Sequence, residues 1–351
     1  MILGAGIGSR LDPLTRSLPK PLVPIVGKPV MGHLLDLLAR HGISDVMVNV
    51  QYLGHKIQES IGDGSAYGMR VSYSVEQELC GDAGGVKRVE AFFRNPDDPT
   101  EPFLVLGGDD LTDTDLSRLI AFHQDKGATA TLAVTPVDDP SEYGIVVLDD
   151  ANGGRITRFQ EKPKPGEAFS NLANTGIYCF QPKVFDYIPA GTFFGFGNNV
   201  FPALMNAGEI VAGLPSNAYW KDVGNLAIYR QAQRDCMDGK CNVEFGVSPM
   251  RKAYPGQWVD VDALIIPGAE LVGPVVIGSN AHIEGNVKDY SVVGEKSVVE
   301  VGATIVNSIL WPGAVVKAGT HLENCVVGEG VTVQSSHAIF NGLIVDPHRP
   351  A

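Results

Sequence analysis

Over the first two thirds of the chain, short apolar runs rich in β-branched residues alternate with amphipathic segments. Strands are predicted at 45–50 (DVMVNV), 71–75, 103–106 (FLVL), 128–137 and 143–148 (YGIVVL). Between them, 31–40 (MGHLLDLLAR) and 115–125 (DLSRLIAFHQD) carry apolar residues at helical spacing, and a further helical run covers 229–238. The alternation predicts an α/β domain with a doubly wound, mixed but mostly parallel sheet.

Beyond residue 239 the period changes to six. Ile265, Leu271, Ile277 and Ile283 recur at that spacing; after a slip come Val293, Val299 and Ile305, then Leu310, Val316 and Leu322, then Val327 and Val333. An aliphatic residue every six positions, with glycine or small residues nearby, marks a β-helix in which each hexad is one short strand. Three hexads close a triangular coil, so about four coils are expected. A sandwich of short strands is the weaker alternative, because it does not require the repeat. Two domains follow, 1–239 and 240–351, and the tail at 346–351 is expected to be mobile.

The length of 351 residues agrees with about two domains. Hydrophobic residues at 44% and charged residues at 19% exclude a wholly disordered chain. A net charge of −13 and a pI near 5.0 argue against nonspecific nucleic-acid binding, so any phosphorylated substrate must be met by locally placed cations. No apolar run reaches the roughly 18 residues of a membrane span, and the N-terminus has phosphate-loop features where a signal peptide would have an apolar core; the cytoplasm is expected. Five scattered cysteines do not suit a disulfide framework and are read as thiols. Cys236 and Cys241 lack a second ligand pair for zinc.

Candidate chemistry begins at Gly4-Ala-Gly-Ile-Gly-Ser-Arg10. Gly4, Gly6 and Gly8 allow backbone N–H groups to approach phosphate oxygens, and Arg10 adds a guanidinium fork. The string is not GxxxxGK[ST], and Pro13 interrupts the helix that a dinucleotide fingerprint would open. Lys20 stands between Pro19 and Pro21, which stiffen the segment that presents its ammonium. At 103–110 an apolar strand runs into Gly107, Gly108, Asp109 and Asp110, and alternation lets only one carboxylate face a pocket. Asp222 in YWKDVG is a second, distant carboxylate. Two such acids together with phosphate oxygens suit Mg²⁺, which takes few protein ligands.

Together these segments resemble the sugar-1-phosphate nucleotidylyltransferases (NDP-sugar pyrophosphorylases), over nearly the whole chain. GAGIGSRLDPLT followed by PKPLVPIVGKP is similar to that family's signature loop, with Ser9 where threonine is commoner. Gly81-Asp-Ala-Gly84 resembles its base-facing segment, Gly108-Asp109 its first metal carboxylate, Glu142-Tyr-Gly144 its sugar-ring loop, Glu161-Lys-Pro163 its EKP motif, Asn174-Thr-Gly176 its sugar-hydroxyl segment and Asp222-Val-Gly224 its second metal carboxylate. At the start the chain departs from the family, which usually has about three residues ahead of the first strand; the expectation is either a trimmed start or a short first strand.

The resemblance implies a Rossmann-like nucleotidyltransferase domain followed by a left-handed hexapeptide-repeat β-helix. It implies that Leu3, Gly4, Ala5, Gly6, Gly8, Ser9, Gly81, Asp82 and Gly108 contact the nucleotide, and that Tyr143, Gly144, Glu161, Lys162, Asn174 and Thr175 contact the sugar phosphate. Arg10, Lys20 and Lys162 would be catalytic, and Asp109 and Asp222 would hold Mg²⁺. The implied substrates are a nucleoside triphosphate and a sugar 1-phosphate. Two unit charges about 4 Å apart repel by about 4 kcal/mol at an effective dielectric near 20, so neutralisation and positioning are the main tasks. With its β-helix the chain most resembles mannose-1-phosphate guanylyltransferases; UTP, dTTP or ATP with glucose 1-phosphate is the alternative. The β-helix is expected to join subunits into a homo-oligomer. An acetyl-CoA-dependent second activity using His282, His321 or His337, or a non-catalytic regulatory role, are the rival classes.

Overall fold

The structure is a computed structural model that describes residues 1–149, 151, 153–247, 250–252 and 255–346. Residues 347–351, in the tail expected to be mobile, lie outside the described residues. The chain forms two compact units, Met1–Ile7 with Leu34–Trp220, and Gly8–His33 with Lys221–Ala351. The grouping cuts the glycine loop after Ile7.

The first unit is built on a nine-stranded sheet. Its strands are β1 (Ile2–Leu3), β2 (Asp45–Val50), β3 (Arg70–Val75), β4 (Phe103–Gly107), β5 (Ala130–Pro136), β6 (Ile145–Asp149), β7 (Arg155–Gln160), β8 (Leu172–Phe180) and β9 (Val211–Pro215), in the order β3-β2-β1-β4-β8-β5-β9-β7-β6. Seven strands run one way; β7 and β8 run the other. The first strand has two residues. Phe103, Leu104, Val105 and Leu106 are all buried, which explains an unbroken apolar run where a half-exposed strand would alternate. An aromatic cluster of Tyr178, Phe180, Phe196 and Phe201 forms much of this core.

The predicted helix at 115–125 is found at Leu116–Lys126: Asp115 caps it by accepting from the Arg118 amide, and Gly127 ends it in the left-handed conformation. Strands β7, β8 and β9 and the helix Gly81–Arg88 are additions to the predicted set. That helix forms from a sequence of low propensity because backbone and side chains fill the space that its glycines leave open. A Cβ on Gly84 would lie 2.9 Å from the Thr192 oxygen, and one on Gly85 would lie 2.7 Å from Glu76 Oε1.

In the second unit the hexads stack as a left-handed hexapeptide-repeat β-helix with three parallel sheets. Parallel register places Val259, Ile277, Val293, Leu310 and Val327 in one column, Ile265, Ile283, Val299, Val316 and Val333 in a second, and Leu271, Val287, Ile305, Leu322 and Ile339 in a third. Five coils are complete and Leu343–Ile344 begins another, against about four expected. Val259, Val287 and Ile339 extend the same count, each six residues from a neighbour in it; the steps shorten between Ile283 and Val287, Ile305 and Leu310, and Leu322 and Val327, so successive residues of the first column are 16 to 18 apart. Ahead of the coils, the helix Leu226–Met237 is capped by Asn225, which accepts from the Ile228 amide.

Candidate active site

In the first unit the glycine loop leaves the end of β1. The Gly4 amide donates to Asn49 Oδ1 at 2.9 Å, Asn49 Nδ2 donates to Glu76 Oε1 at 2.7 Å, and Glu76 Oε2 accepts from the Cys80 amide at 3.2 Å. Asn49 and Glu76 are almost fully buried. This relay ties the start of the phosphate loop to the turn before Gly81, and the residue-by-residue reading missed it; a polar Asn49 inside the apolar DVMVNV strand was the available signal. Gly108 is required where it stands, because a Cβ there would lie 2.5 Å from the Leu3 oxygen. After it, Asp110 turns inward at 4% exposure while Asp109 stays partly exposed, as alternation demands.

The proposed base-facing turn is clamped by the segment that follows β8. Gly81, at φ 76°, would place a Cβ 2.4 Å from the Phe194 oxygen, and the Gly84 amide donates to that same oxygen. Asp82 Oδ1 accepts from the Ala83 and Phe196 amides at 2.7 and 2.8 Å. Although the residue retains surface, protein crowds its carboxyl and raises its pKa by desolvation.

The expected sugar-side residues gather around Glu161. Asn174 donates its backbone N–H to the Gly144 oxygen and its side-chain amide to the Tyr178 hydroxyl, while the Lys162 amide donates to the Tyr143 oxygen. Lys162 is exposed and held at φ 41°, a left-handed conformation that costs a non-glycine residue about 1 kcal/mol or more. The Tyr143 ring meets Trp220 edge-on at 5.3 Å. Glu161 accepts no hydrogen bond among the described residues; burial raises its pKa, Lys162 opposes the rise and the Asp82 charge adds to it. Its carboxylate lies in a notch made by two glycines: a Cβ on Gly197 would sit 2.2 Å from Oε2, and one on Gly144 would sit 2.8 Å away. Gly197 was not singled out in the sequence, since a glycine's fit is visible only in three dimensions. Thr175 is 2% exposed and its hydroxyl donates to the Ala133 oxygen within the sheet, where alternation along β8 points it.

The second unit carries Arg10 and Lys20. Gly8, at φ 70°, lies against Lys20 so closely that a Cβ would be 2.8 Å from the lysine Cβ, and Thr15 donates its hydroxyl to the Gly8 oxygen. Ser9 opens a 3₁₀ turn that carries Arg10. Pro19 is extended as expected, but Lys20 itself starts a 3₁₀ turn, Lys20–Leu22, in which Pro21 needs no N–H. Both cations converge on one acid. Lys20 Nζ lies 2.7 Å from Asp222 Oδ1, and Arg10 Nη2 lies 3.0 Å from Asp222 Oδ2. The lysine side chain is only 8% exposed and that of Asp222 21%, so this pairing is partly desolvated.

Among the described residues no three His, Cys, Asp or Glu side chains cluster as a metal cage. The β-helix histidines are engaged locally: His282 pairs with Glu284, and His321 lies near Glu323. No helix among the described residues is long and apolar enough to cross a membrane.

Residues 1–239 match the family model described as nucleotidyl transferase, and residues 270–347 match one described as GlmU-like, C-terminal hexapeptide. The chain belongs to the nucleotidyl transferase family. It is 36% identical to a UTP–glucose-1-phosphate uridylyltransferase of Synechocystis sp., over 100% of this chain and 94% of that protein. It is 33% identical to a mannose-1-phosphate guanylyltransferase of Mycobacterium tuberculosis, over 87% and 82%, and 32% identical to a mannose-1-phosphate guanyltransferase of Candida albicans, over 99% and 96%. A solved structure titled a putative glucose-1-phosphate thymidylyltransferase from Bacillus anthracis shares its fold at a TM-score of 0.61 and 24% identity, over 70% of this chain and 95% of that one. Within its family the protein is a sugar-1-phosphate nucleotidylyltransferase, and enzymes of that family generally use a divalent metal ion.

Proposed function

We propose that the enzyme converts GTP and mannose 1-phosphate into GDP-mannose and pyrophosphate. UTP with glucose 1-phosphate is the second reading, which the end-to-end likeness to the Synechocystis uridylyltransferase favours. An oxygen of the sugar phosphate bonds to the α-phosphorus as the bond from that phosphorus to the bridging oxygen breaks, and pyrophosphate leaves in line. The observation that carries this reading is the convergence of Arg10 and Lys20 on Asp222. Cations preassembled on one carboxylate suit a reaction that must bring two polyanions together.

In this reading Arg10 binds the triphosphate and leaving group, Lys20 the phosphates between, and Lys162 the sugar phosphate. Leu3, Gly4, Ala5, Gly6, Gly8, Ser9, Gly81, Asp82 and Gly108 form the nucleotide side. Tyr143, Gly144, Glu161 and Asn174 hold the sugar, Glu161 by accepting from hydroxyls. Asp109 and Asp222 would hold magnesium, which when bound would supply positive charge against the phosphate oxygens. Residues 1–239 are the catalytic domain and 240–351 a β-helix that joins copies of the chain; exposed Leu264, Val301 and Phe340 support the second role. The reaction belongs in the cytoplasm, where nucleoside triphosphates are held.

The test is a pyrophosphate-release matrix of four nucleoside triphosphates against mannose and glucose 1-phosphates. GTP with mannose 1-phosphate is expected to give the highest kcat/KM; a matrix led by another pair removes that assignment. Asp109→Asn is expected to abolish metal-dependent turnover while leaving the folded state intact, and wild-type turnover would remove Asp109 from the metal role. Light scattering of the full chain checks assembly, with a monomer as the contrary result.

A further inference from the structure

The hairpin that follows Lys20, made of Pro24–Ile25 and Lys28–Pro29, is fastened inside the second unit by a buried polar chain. Trp311, on a β-helix coil, donates its indole N–H to the Tyr229 hydroxyl at 2.8 Å. Tyr229 in turn donates to the Pro24 oxygen at 3.0 Å. Gln233, one helical turn further on, donates to the same oxygen at 2.8 Å and accepts from the Val26 amide at 2.7 Å. Trp311, Tyr229 and Gln233 are each at most 2% exposed. The phenol is thereby satisfied as acceptor and as donor, and removing either neighbour leaves a buried polar group unpaired. Trp311 also borders a small cavity of about 70 Å³ lined in part by Pro13, Leu14 and Ser17 from the loop that carries Arg10.

The other end of the fastened segment is Lys20. The Leu22 amide donates to the Pro19 oxygen and the Val23 amide to the Lys20 oxygen, so a rigid 3₁₀ turn leads straight into Pro24. A displaced Pro24 therefore shifts the lysine.

We infer that Trp311 and Tyr229 are positioning residues for Lys20, through which the β-helix takes part in setting the geometry of phosphoryl transfer. This rests on the reading of Lys20 as a phosphate-binding residue. Displacing a positioning element by a fraction of an ångström to one ångström costs up to about a hundredfold in rate, so an effect of about tenfold is expected for the loss of one link.

The experiment compares Tyr229→Phe, Trp311→Phe and the double variant in the full-length protein, by pyrophosphate release and by hydrogen exchange of the amides at 22–26. Each single variant is expected to lower kcat about tenfold, with the sugar 1-phosphate KM nearly unchanged, and to speed exchange in that segment. The double variant is expected to be no worse than Tyr229→Phe alone, because the two groups form one chain. Unchanged exchange, unchanged kcat, or fully additive losses in the double variant would each overturn the inference. So would a fall in kcat matched by loss of the folded β-helix in both single variants. Lys20→Ala run in parallel separates the two ideas. If Lys20→Ala is as active as wild type, the reading of Lys20 itself fails; if it is inactive while both aromatic variants are unaffected, only the positioning role fails.

Discussion

Gly197→Ala isolates the sugar-side carboxylate from the fold around it. The new Cβ would stand 2.2 Å from Glu161 Oε2 and 2.9 Å from its Cδ, but 3.4 Å from the nearest Phe159 ring atom. Only the flexible end of Glu161 must give way, so the carboxylate swings out of its notch and the backbone stays. Gly197 does not occupy the left-handed region and begins the second position of a helical turn, Phe196–Val200. Alanine there is expected to leave stability unchanged or to raise it by about 0.4–1 kcal/mol through the unfolded chain. A hydrogen bond from a sugar hydroxyl to a carboxylate is worth about 1.5–3 kcal/mol, and its loss corresponds to about 10- to 150-fold in kcat/KM for the sugar 1-phosphate. The assay is steady-state pyrophosphate release with each substrate varied in turn, beside thermal unfolding. The nucleotide KM should hold, and Glu161→Gln should produce a similar loss that does not add to that of Gly197→Ala. A variant with wild-type kcat/KM for the sugar 1-phosphate would refute the role of the notch.

Two further outcomes follow from charge burial. Asp222→Asn leaves a nearly buried Lys20 ammonium without its counter-charge; for this partly exposed pair a loss of about 2 kcal/mol is expected, seen without metal as a Tm lowered by about 4–8 °C and partly restored by inorganic pyrophosphate, and an unchanged Tm would contradict it. His123 is buried with its Nδ1 on the Thr131 hydroxyl, and desolvation pushes its pKa from 6.5 down to about 4. The unfolded chain therefore binds that proton first: the contribution is intact above pH 6.5 and falls by up to about 3 kcal/mol as pH drops towards 4. His123→Gln should flatten acid unfolding over that window, and parallel curves for the two proteins would count against the assignment.

Much of the candidate site could be proposed from the sequence because its motifs are short and local. Glycines at 4, 6 and 8, a lysine between prolines, and a strand ending in Gly-Gly-Asp-Asp each imply chemistry through backbone access or rigid presentation. What escaped was set by partners far away in sequence. Thr175 sits in the sugar-hydroxyl motif, yet strand alternation turns it to Ala133. Asn49 and Glu76 read as an unremarkable strand asparagine and loop glutamate until their bonds to Gly4 and Cys80 are seen. Gly197 has no sequence signal at all, since its role is the space that it leaves for Glu161.

The amino-acid order alone determined the two kinds of architecture, because periods of two, 3.6 and six residues are local consequences of strand, helix and coil geometry. It also determined which residues carry charge. Only the tertiary structure decided that Arg10 and Lys20 share Asp222, that Glu161 stands without a hydrogen-bond donor among the described residues, and that Trp311 reaches Pro24 through Tyr229. The pairings span some 80 to 210 positions, fixed by how buried polar groups find partners when the chain packs, and no local pattern encodes them.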